Sequence, residues 1–340
     1  MPVKGTLYVT DHRARLRIRH GTILIEQPSA SQRVPIEAVE GVVLTGRAEV
    51  SNDAMGELVR RGIRVVALSR TGRLRFSVGG ATSGNVHLRI AQFRASADET
   101  DTARLARWFV AGKLQNCRRS VQRWSWDAEG DARRVMEREV QVIGDRIADL
   151  GATTDGDKIR GIEGDGTRRY FRCLALHLDT GDELMNFVRR SRRPPRDPAN
   201  AVLSFMYGIV LGEVIGALES VGLDPQVGYL HRPRSGRPSL ALDLLEELRP
   251  SIADRFSVPV LARRQIRREH FHIVGSGHYF TDDGRGVVLA LYDAYRASEI
   301  DHPILGRRIG RWMLPTVQAT LLARYLRGDL STYPPFVAAV

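Results

Sequence analysis

Sulfur is scarce in this chain. Of 340 residues only two are cysteine, Cys117 and Cys173. They lie far apart and neither has a CxxC partner, which excludes a zinc ribbon or an iron–sulfur cluster and leaves buried free thiols. Long apolar runs are lacking too: no stretch approaches about 18 uninterrupted apolar residues. Met1-Pro2-Val3-Lys4-Gly5 passes into a strand pattern without a signal-peptide core, so a cytosolic protein with no membrane partner is expected. No internal repeat is present. Acidic charge is the third shortfall, with 39 Asp and Glu against 51 Lys and Arg, a net charge of +12. That surplus predicts a phosphate-rich partner, because each neutralised phosphate releases condensed counterions. DNA, RNA and an anionic membrane all meet that description.

A 43% hydrophobic content with 26% charged residues describes a globular chain with a substantial core, long enough for two domains. Residues 13–19, Arg-Ala-Arg-Leu-Arg-Ile-Arg, alternate basic and apolar side chains and predict a strand with one buried face. Thr22 to Ile25, Val42 to Thr45, Ile63 to Leu68 and Leu74 to Val78 are further short β-rich runs, the last two forming a hairpin around Arg70-Thr71-Gly72. Ser51 is placed to cap a short helix over Ala54 to Arg61. After the turn-like Ala81 to Asn85 the pattern becomes helical: Thr102 to Val140 carries helix formers without proline, and Asp197-Pro198 opens a helix whose apolar residues from Leu203 to Leu218 fill one stripe. The expected fold class is α+β, a small β-rich domain over residues 1–90 followed by an all-helical domain over residues 91–340.

On a helix over Ser239 to Arg249, Leu240, Ala241, Leu244, Leu245 and Leu248 fall on one side, while Asp243, Glu246 and Glu247 share an arc of about 100° on the other. A solvated face explains these acids as well as a site does. His231, twelve residues before Asp243, can return over that arc. Glu163 sits between glycines in Arg160-Gly161-Ile162-Glu163-Gly164, ahead of a helix-like Thr167 to Leu178. One imidazole with two or more carboxylates makes a hard site suited to Mg²⁺ or Mn²⁺. In a basic protein such an ion suggests phosphodiester chemistry.

Four segments, RGIEG at 160–164, RDPANAVLSFMYG at 196–208, GLDPQVGYLH at 222–231 and SLALDLLEELRP at 239–250, resemble the motifs of the CRISPR-associated integrases of spacer acquisition, the Cas-one proteins. LYVT at 7–10 and SGN at 83–85 most resemble the branch found with type I, subtype C systems. The resemblance implies a β domain that dimerises, a helical domain that binds Mg²⁺ or Mn²⁺, and a dimer of the small Cas-two protein bridging two such dimers. It assigns the metal to Glu163, His231 and Glu246, with Asp243 lining the site as a further catalytic acid. The implied activity is insertion of short foreign DNA into a CRISPR array by 3′-hydroxyl transesterification, with nuclease action on double-stranded and branched DNA and a separate trimming nuclease as a further partner. A branch-selective repair nuclease and a non-catalytic DNA scaffold remain the alternatives.

Two arginine runs suit DNA backbone contact, Arg189, Arg190, Arg192, Arg193 and Arg196, then Arg263, Arg264, Arg267 and Arg268, because the planar guanidinium fork matches phosphate. His270, His272 and His278 read as a packed or turn segment rather than a second metal site. Tyr170 reads either as a base-stacking residue or as core. Tyr333-Pro334-Pro335-Phe336 reads as an extended tail, docked or disordered.

Overall fold

Alternation near the N-terminus does what its period of two requires. The computed structural model describes residues 5–9, 11, 13–27, 30–45, 47–69, 74–79, 86–178 and 187–338. Strands β1 (Gly5–Val9), β2 (Arg15–Arg19), β3 (Thr22–Glu26), β4 (Ser31–Pro35), β5 (Val39–Thr45), β6 (Glu49–Val50), β7 (Arg64–Leu68) and β8 (Leu74–Val78) form two sheets, ordered β1-β5-β7-β8 and β4-β3-β2-β6. On β2 the side chain of Leu16 is buried and those of Arg15, Arg17 and Arg19 are exposed. Leu16, Ile23 and Ile25 meet Val42, Leu44 and Val65 in one apolar cluster. β1, β5 and β7 run parallel, and β8 returns antiparallel to β7. The expected turn at residues 70–72 lies outside the described residues, as do Ala81 to Asn85 and the SGN segment. Helix α1 (Asn52–Arg60) starts where Ser51 Oγ accepts from the Ala54 amide at 3.2 Å.

Helices α2 (Val86–Ala97), α3 (Glu99–Asp127), α4 (Gly130–Gly151), α5 (Gly156–His177), α6 (Pro198–Ser220), α7 (Ser239–Leu248), α8 (Arg255–Ala262), α9 (Asp282–Ala297) and α10 (Leu314–Leu326) follow. The proline-free run from Thr102 to Val140 is helical as expected and falls in two helices, α3 and α4, that meet at Gly130, whose φ of +56° suits glycine. Asp197 caps α6 through the Asn200 amide at 2.7 Å, with Pro198 in the first turn. The single apolar stripe expected on α6 is a correction: Val202, Leu203, Phe205, Met206, Ile209, Val210, Val214 and Leu218 are buried around most of its circumference. By length and composition α6 is long and apolar enough to cross a membrane, yet it serves here as a core helix. It packs against the sheet as well, since Gly212 meets Val66 and Gly216 meets Arg64.

The region after residue 91 is not all helical. Hairpins β9 (Phe271–Val274) with β10 (Gly277–Phe280), and β11 (Glu299–His302) with β12 (Arg307–Gly310), flank α9. Gly275 and Gly306, at φ of +60° and +62°, make their turns possible. The histidines at 270, 272 and 278 belong to the first hairpin and its approach, and they form no metal cluster among the described residues.

Candidate metal centre

Glu163 lies inside α5, not in a loop ahead of it. Asp155 caps that helix by accepting from the Asp157 amide at 2.8 Å, and the helix runs through Gly161, Gly164 and Gly166. Gly161 and Gly164 face open space, whereas a Cβ on Gly166 would overlap the Leu114 side chain of α3. Three glycines in a helix cost stability, and the third allows the α3–α5 approach that brings Glu163 beside Lys113. Gly166→Ala is therefore expected to destabilise the fold by about 1–3 kcal/mol, read as a lower denaturation midpoint, while Gly164→Ala should not.

Asp243, Glu246 and Glu247 are all buried, so the solvated-face reading of α7 does not hold. Neighbours pack on both sides of that arc, and the three acids do different work. Asp243 gathers the preceding loop: its Oδ2 accepts from the Tyr229 and Leu230 amides at 2.6 and 3.0 Å, and its Oδ1 from the His231 amide at 2.9 Å. His231 Nδ1 is 2.7 Å from the same Oδ1. With Asp243 accepting from Nδ1, the Nε2 edge of the ring turns toward Glu246, whose Oε1 is 4.0 Å away. Gly228 makes this possible, because a Cβ there would lie 2.6 Å from the Ser239 carbonyl carbon and 2.9 Å from Asp243 Oδ2.

Glu246 faces Glu163 across one ammonium. Lys113 Nζ contacts Glu163 Oε1 and lies 2.6 Å from Glu246 Oε2. Thr167 Oγ1 donates to Glu163 Oε1 at 2.9 Å, and Arg249 donates to Glu246 Oε1 at 2.6 Å. Burial would raise the Glu246 carboxyl, but the charges of Arg249 and Lys113 hold it down at about 2. Arg249 owes its place to a π-helical turn over Arg249–Asp254, which contains Pro250. The same turn buries Asp254, which accepts from Tyr170 at 2.9 Å and Tyr207 at 2.7 Å. Tyr170 is thus a core tyrosine.

Glu247, one residue on, turns the other way. Gln318 donates to its Oε1 at 2.8 Å and Tyr333 at 2.9 Å, and burial pushes its carboxyl up to about 8. The C-terminal tail is docked here, with Phe336 buried and its carbonyl held by Asn116 Nδ2 at 2.8 Å. A raised folded-state value means the unfolded chain loses this proton first, so stability falls as pH rises from about 4.5 toward 8. Glu247→Gln is expected to remove most of the fall in stability across that window, a fall of roughly 4 kcal/mol between pH 4.5 and 8, read as a denaturation midpoint that no longer drops with pH.

Glu163, His231 and Glu246 fit a hard divalent ion in donor type, and Glu246 Oε2 is a buried oxygen with no aligned hydrogen bond. They do not close on a single point among the described residues, because Lys113 stands between the carboxylates and supplies the positive charge an ion would supply. Sequence reasoning missed Lys113 and Arg249. Lys113 is one of only three lysines against 48 arginines, and that rarity was the available signal.

Of the basic runs, Arg189, Arg192, Arg193 and Arg196 are exposed, as are Arg263, Arg264, Arg267 and Arg268. Arg190 differs: its guanidinium donates to Asn200 Oδ1 at 2.7 Å and Ser204 Oγ at 3.0 Å and lies over the Tyr207 ring. It is turned into the protein.

A family model described as "CRISPR associated protein Cas1" matches residues 7–294. The chain belongs to the Cas1 family. It is 40% identical over 340 residues to a CRISPR-associated endonuclease Cas1 of Rhodospirillum rubrum, covering 98% of each chain. It is 36% identical over 336 residues to one from Moorella thermoacetica, again covering 98% of each. In fold it is similar to the Cas1 protein TM1797 of Thermotoga maritima, with TM-score 0.80 and 22% identity over 95% of this chain and 97% of that one. A casposase bound to integration product gives TM-score 0.83 and 19% identity over 96% of this chain and 92% of that one. A chain of a Cas6-RT-Cas1–Cas2 complex gives TM-score 0.79 and 20% identity, covering 99% of this Cas1 chain and 36% of the other. These Cas1 relatives account for the β-rich start and the helical remainder alike.

Proposed function

We propose that this Cas1 chain is a metal-dependent DNA integrase and endonuclease that inserts short duplexes into a CRISPR array. The observation that carries this reading is that Glu163 and Glu246, from two separate helices, both contact the buried Lys113 ammonium, with His231 Nε2 4.0 Å from Glu246 Oε1. Glu163, Glu246 and His231 Nε2 would hold Mg²⁺ or Mn²⁺. The bound ion supplies polarisation of a phosphoryl oxygen and activation of a hydroxyl nucleophile. Asp243 fixes the imidazole and its loop, Thr167 orients Glu163, and Arg249 keeps Glu246 ionised. In joining, a 3′-hydroxyl oxygen bonds to the target phosphorus and gives its proton to solvent, while the bond to the target strand's own 3′-oxygen breaks and that oxygen takes up a proton from solvent to leave as a hydroxyl. With water as nucleophile the same site hydrolyses DNA, a second reading favoured by the endonuclease names of the relatives. Hydrolysis of branched DNA without integration would make the chain a repair nuclease.

The cellular form in this proposal is a cytosolic homodimer, paired through its β-rich region, with a Cas2-type dimer bridging two copies. A fold neighbour drawn from a Cas1–Cas2 complex supports that partner. Assignment to the type I, subtype C branch belongs to the same proposal and rests on LYVT at 7–10 and SGN at 83–85. The decisive assay mixes labelled duplex bearing free 3′-hydroxyls with supercoiled plasmid carrying the array, in Mn²⁺ or Mg²⁺, with and without the Cas2-type protein. Label is expected in the plasmid only when metal, hydroxyl and partner are all present; joining in EDTA would overturn the reading.

Arg192 and Arg193 are proposed to grip the backbone. Arg192→Ala with Arg193→Ala is expected to weaken duplex binding for every sequence alike and to reduce the salt slope by roughly 1.8. Titration by fluorescence anisotropy at several salt concentrations checks it.

A further inference from the structure

Two arginine runs that lie far apart in sequence meet at one hairpin. The loop carrying Arg192, Arg193 and Arg196 follows the free edge of β10: the His278 amide donates to the Pro195 carbonyl at 2.8 Å, and a Cβ on Gly277 would lie 2.7 Å from Pro194 Cβ. The run with Arg263, Arg267 and Arg268 leads into β9 through the short helical turn Arg268–His270. All of these arginines are exposed. Among the described residues their one ion-pair partner is Glu269, itself exposed and 3.9 Å from Arg267. The first run also reaches toward the metal centre, since Arg190 at its start and Arg249, which holds Glu246, both lie over the Tyr207 ring at 5.2 and 5.0 Å from its centroid.

The hairpin between these runs extends past the core it stands on. Phe271 and Phe280 pair across its base and stack with centroids 4.8 Å apart, and Phe280 packs edge-on against Phe205 of α6. Support ends there. Ile273 shares the face of Phe271, because side chains alternate along a strand, yet it is 61% exposed, and Val274 beside it is 60% exposed. The chain then turns back through Gly275-Ser276, with Gly275 at the positive φ that a tight hairpin turn needs. Single exposed apolar residues are ordinary on a protein surface. Two adjacent ones at a turn, where polar residues are the rule, with an arginine run along each strand, form a distinct feature: an apolar tip on a fixed base with cationic flanks.

Each part of that feature has a counterpart in duplex DNA. Guanidinium forks match phosphate oxygens, and small apolar wedges enter a groove and part a base step. A lipid surface is the weaker match, because interfacial anchoring scales with buried apolar area and two side chains supply little of it. We propose that the β9–β10 hairpin is a wedge for duplex DNA, in which the two arginine runs hold the phosphate backbone and Ile273 and Val274 unstack a base step. The inference rests on the proposal that Arg192 and Arg193 grip DNA and names the element that distorts the gripped duplex; it does not require strand joining.

The test uses the full chain in EDTA, so that binding is read without joining. Short duplexes with an internal 2-aminopurine report unstacking as a rise in fluorescence, and anisotropy reports affinity. Wild type is expected to brighten the probe. Ile273→Ser with Val274→Ser should lose at least half of that rise and bind severalfold more weakly at an unchanged salt slope, because no phosphate contact is removed. Ile273→Leu with Val274→Leu, which keeps the tip apolar, should retain both signals. Arg267→Ala with Arg268→Ala should lower the salt slope by roughly 1.8, and by roughly 3.6 when combined with Arg192→Ala and Arg193→Ala. The substituted side chains are exposed, so unchanged melting curves will separate lost binding from lost folding. No brightening by wild type, or full brightening by the serine variant, overturns the wedge; if Arg192→Ala with Arg193→Ala still weakens binding, the grip stands without it. A salt slope unmoved by the Arg267 and Arg268 changes overturns the shared surface. Vesicles of equal parts phosphatidylcholine and phosphatidylserine supply the remaining arm: wild type sedimenting with them, the serine variant staying in solution and both binding duplex alike would assign the tip to a lipid surface and overturn the proposal.

Discussion

Glu163→Ala, His231→Ala and Glu246→Ala are each expected to lower strand joining by about 10²- to 10⁴-fold, the several kcal/mol that a metal ligand contributes to a developing phosphoryl charge. Glu163→Ala is the cleanest of the three. Its side chain is 24% exposed, and its loss leaves the buried Lys113–Glu246 pair intact, so the fold should survive and only the donor set shrinks. His231→Ala removes the group that Asp243 orients and strands a buried carboxylate that still has three backbone amides for company. Glu246→Ala leaves Lys113 and Arg249 facing each other across a vacated volume, so a fall in melting temperature should accompany the lost activity. Duplex binding by all three, measured alongside, should stay within a few-fold of wild type. Joining at the wild-type rate by Glu163→Ala would sink the assigned site.

Lys113→Met is expected to be the most destabilising single change at the centre when metal is absent. The lysine is nearly enclosed, with a 4% exposed side chain, and pairs with Glu163 and Glu246 at once. Removing one partner of a buried ion pair costs about 3–5 kcal/mol, because the remaining charges are left without compensation. Divalent metal should reverse that loss. If Lys113 supplies the charge that an ion would otherwise supply, Mn²⁺ will raise the melting temperature of Lys113→Met by several degrees and that of the wild type by less, since in the wild type the ion must first displace an ammonium. Differential scanning fluorimetry with EDTA and with Mn²⁺ reads this directly, without any DNA. Equal Mn²⁺ shifts in the two proteins would show that Lys113 and the ion do not compete.

Much of the local structure was legible because it depends on neighbours in sequence. The alternation at 15–19, the Ser51 and Asp197 caps and the runs that became β5, β7 and β8 follow from side-chain period and backbone preference. The helix through Glu163 was misread because Gly161, Gly164 and Gly166 look like a loop; only the packing of Leu114 from α3 against Gly166 explains that glycine, while Gly161 and Gly164 face open space. The two hairpins around α9 were missed because each strand has only four residues, too short for a period to show.

Sequence alone determined which residue types were available for chemistry: Glu163, His231, Asp243 and Glu246, in motifs that resemble one family, on a chain with a large basic surplus. Tertiary structure decided what each does. Asp243, Glu246 and Glu247 share one arc of one helix, yet the first fixes an imidazole, the second is held ionised at about 2 and the third is raised to about 8. The reason is that a helix sets only the angle between side chains. Burial and charge come from whatever packs against each angle, here Lys113 from α3, Arg249 from the π-helical turn, and Gln318 and Tyr333 from far along the chain.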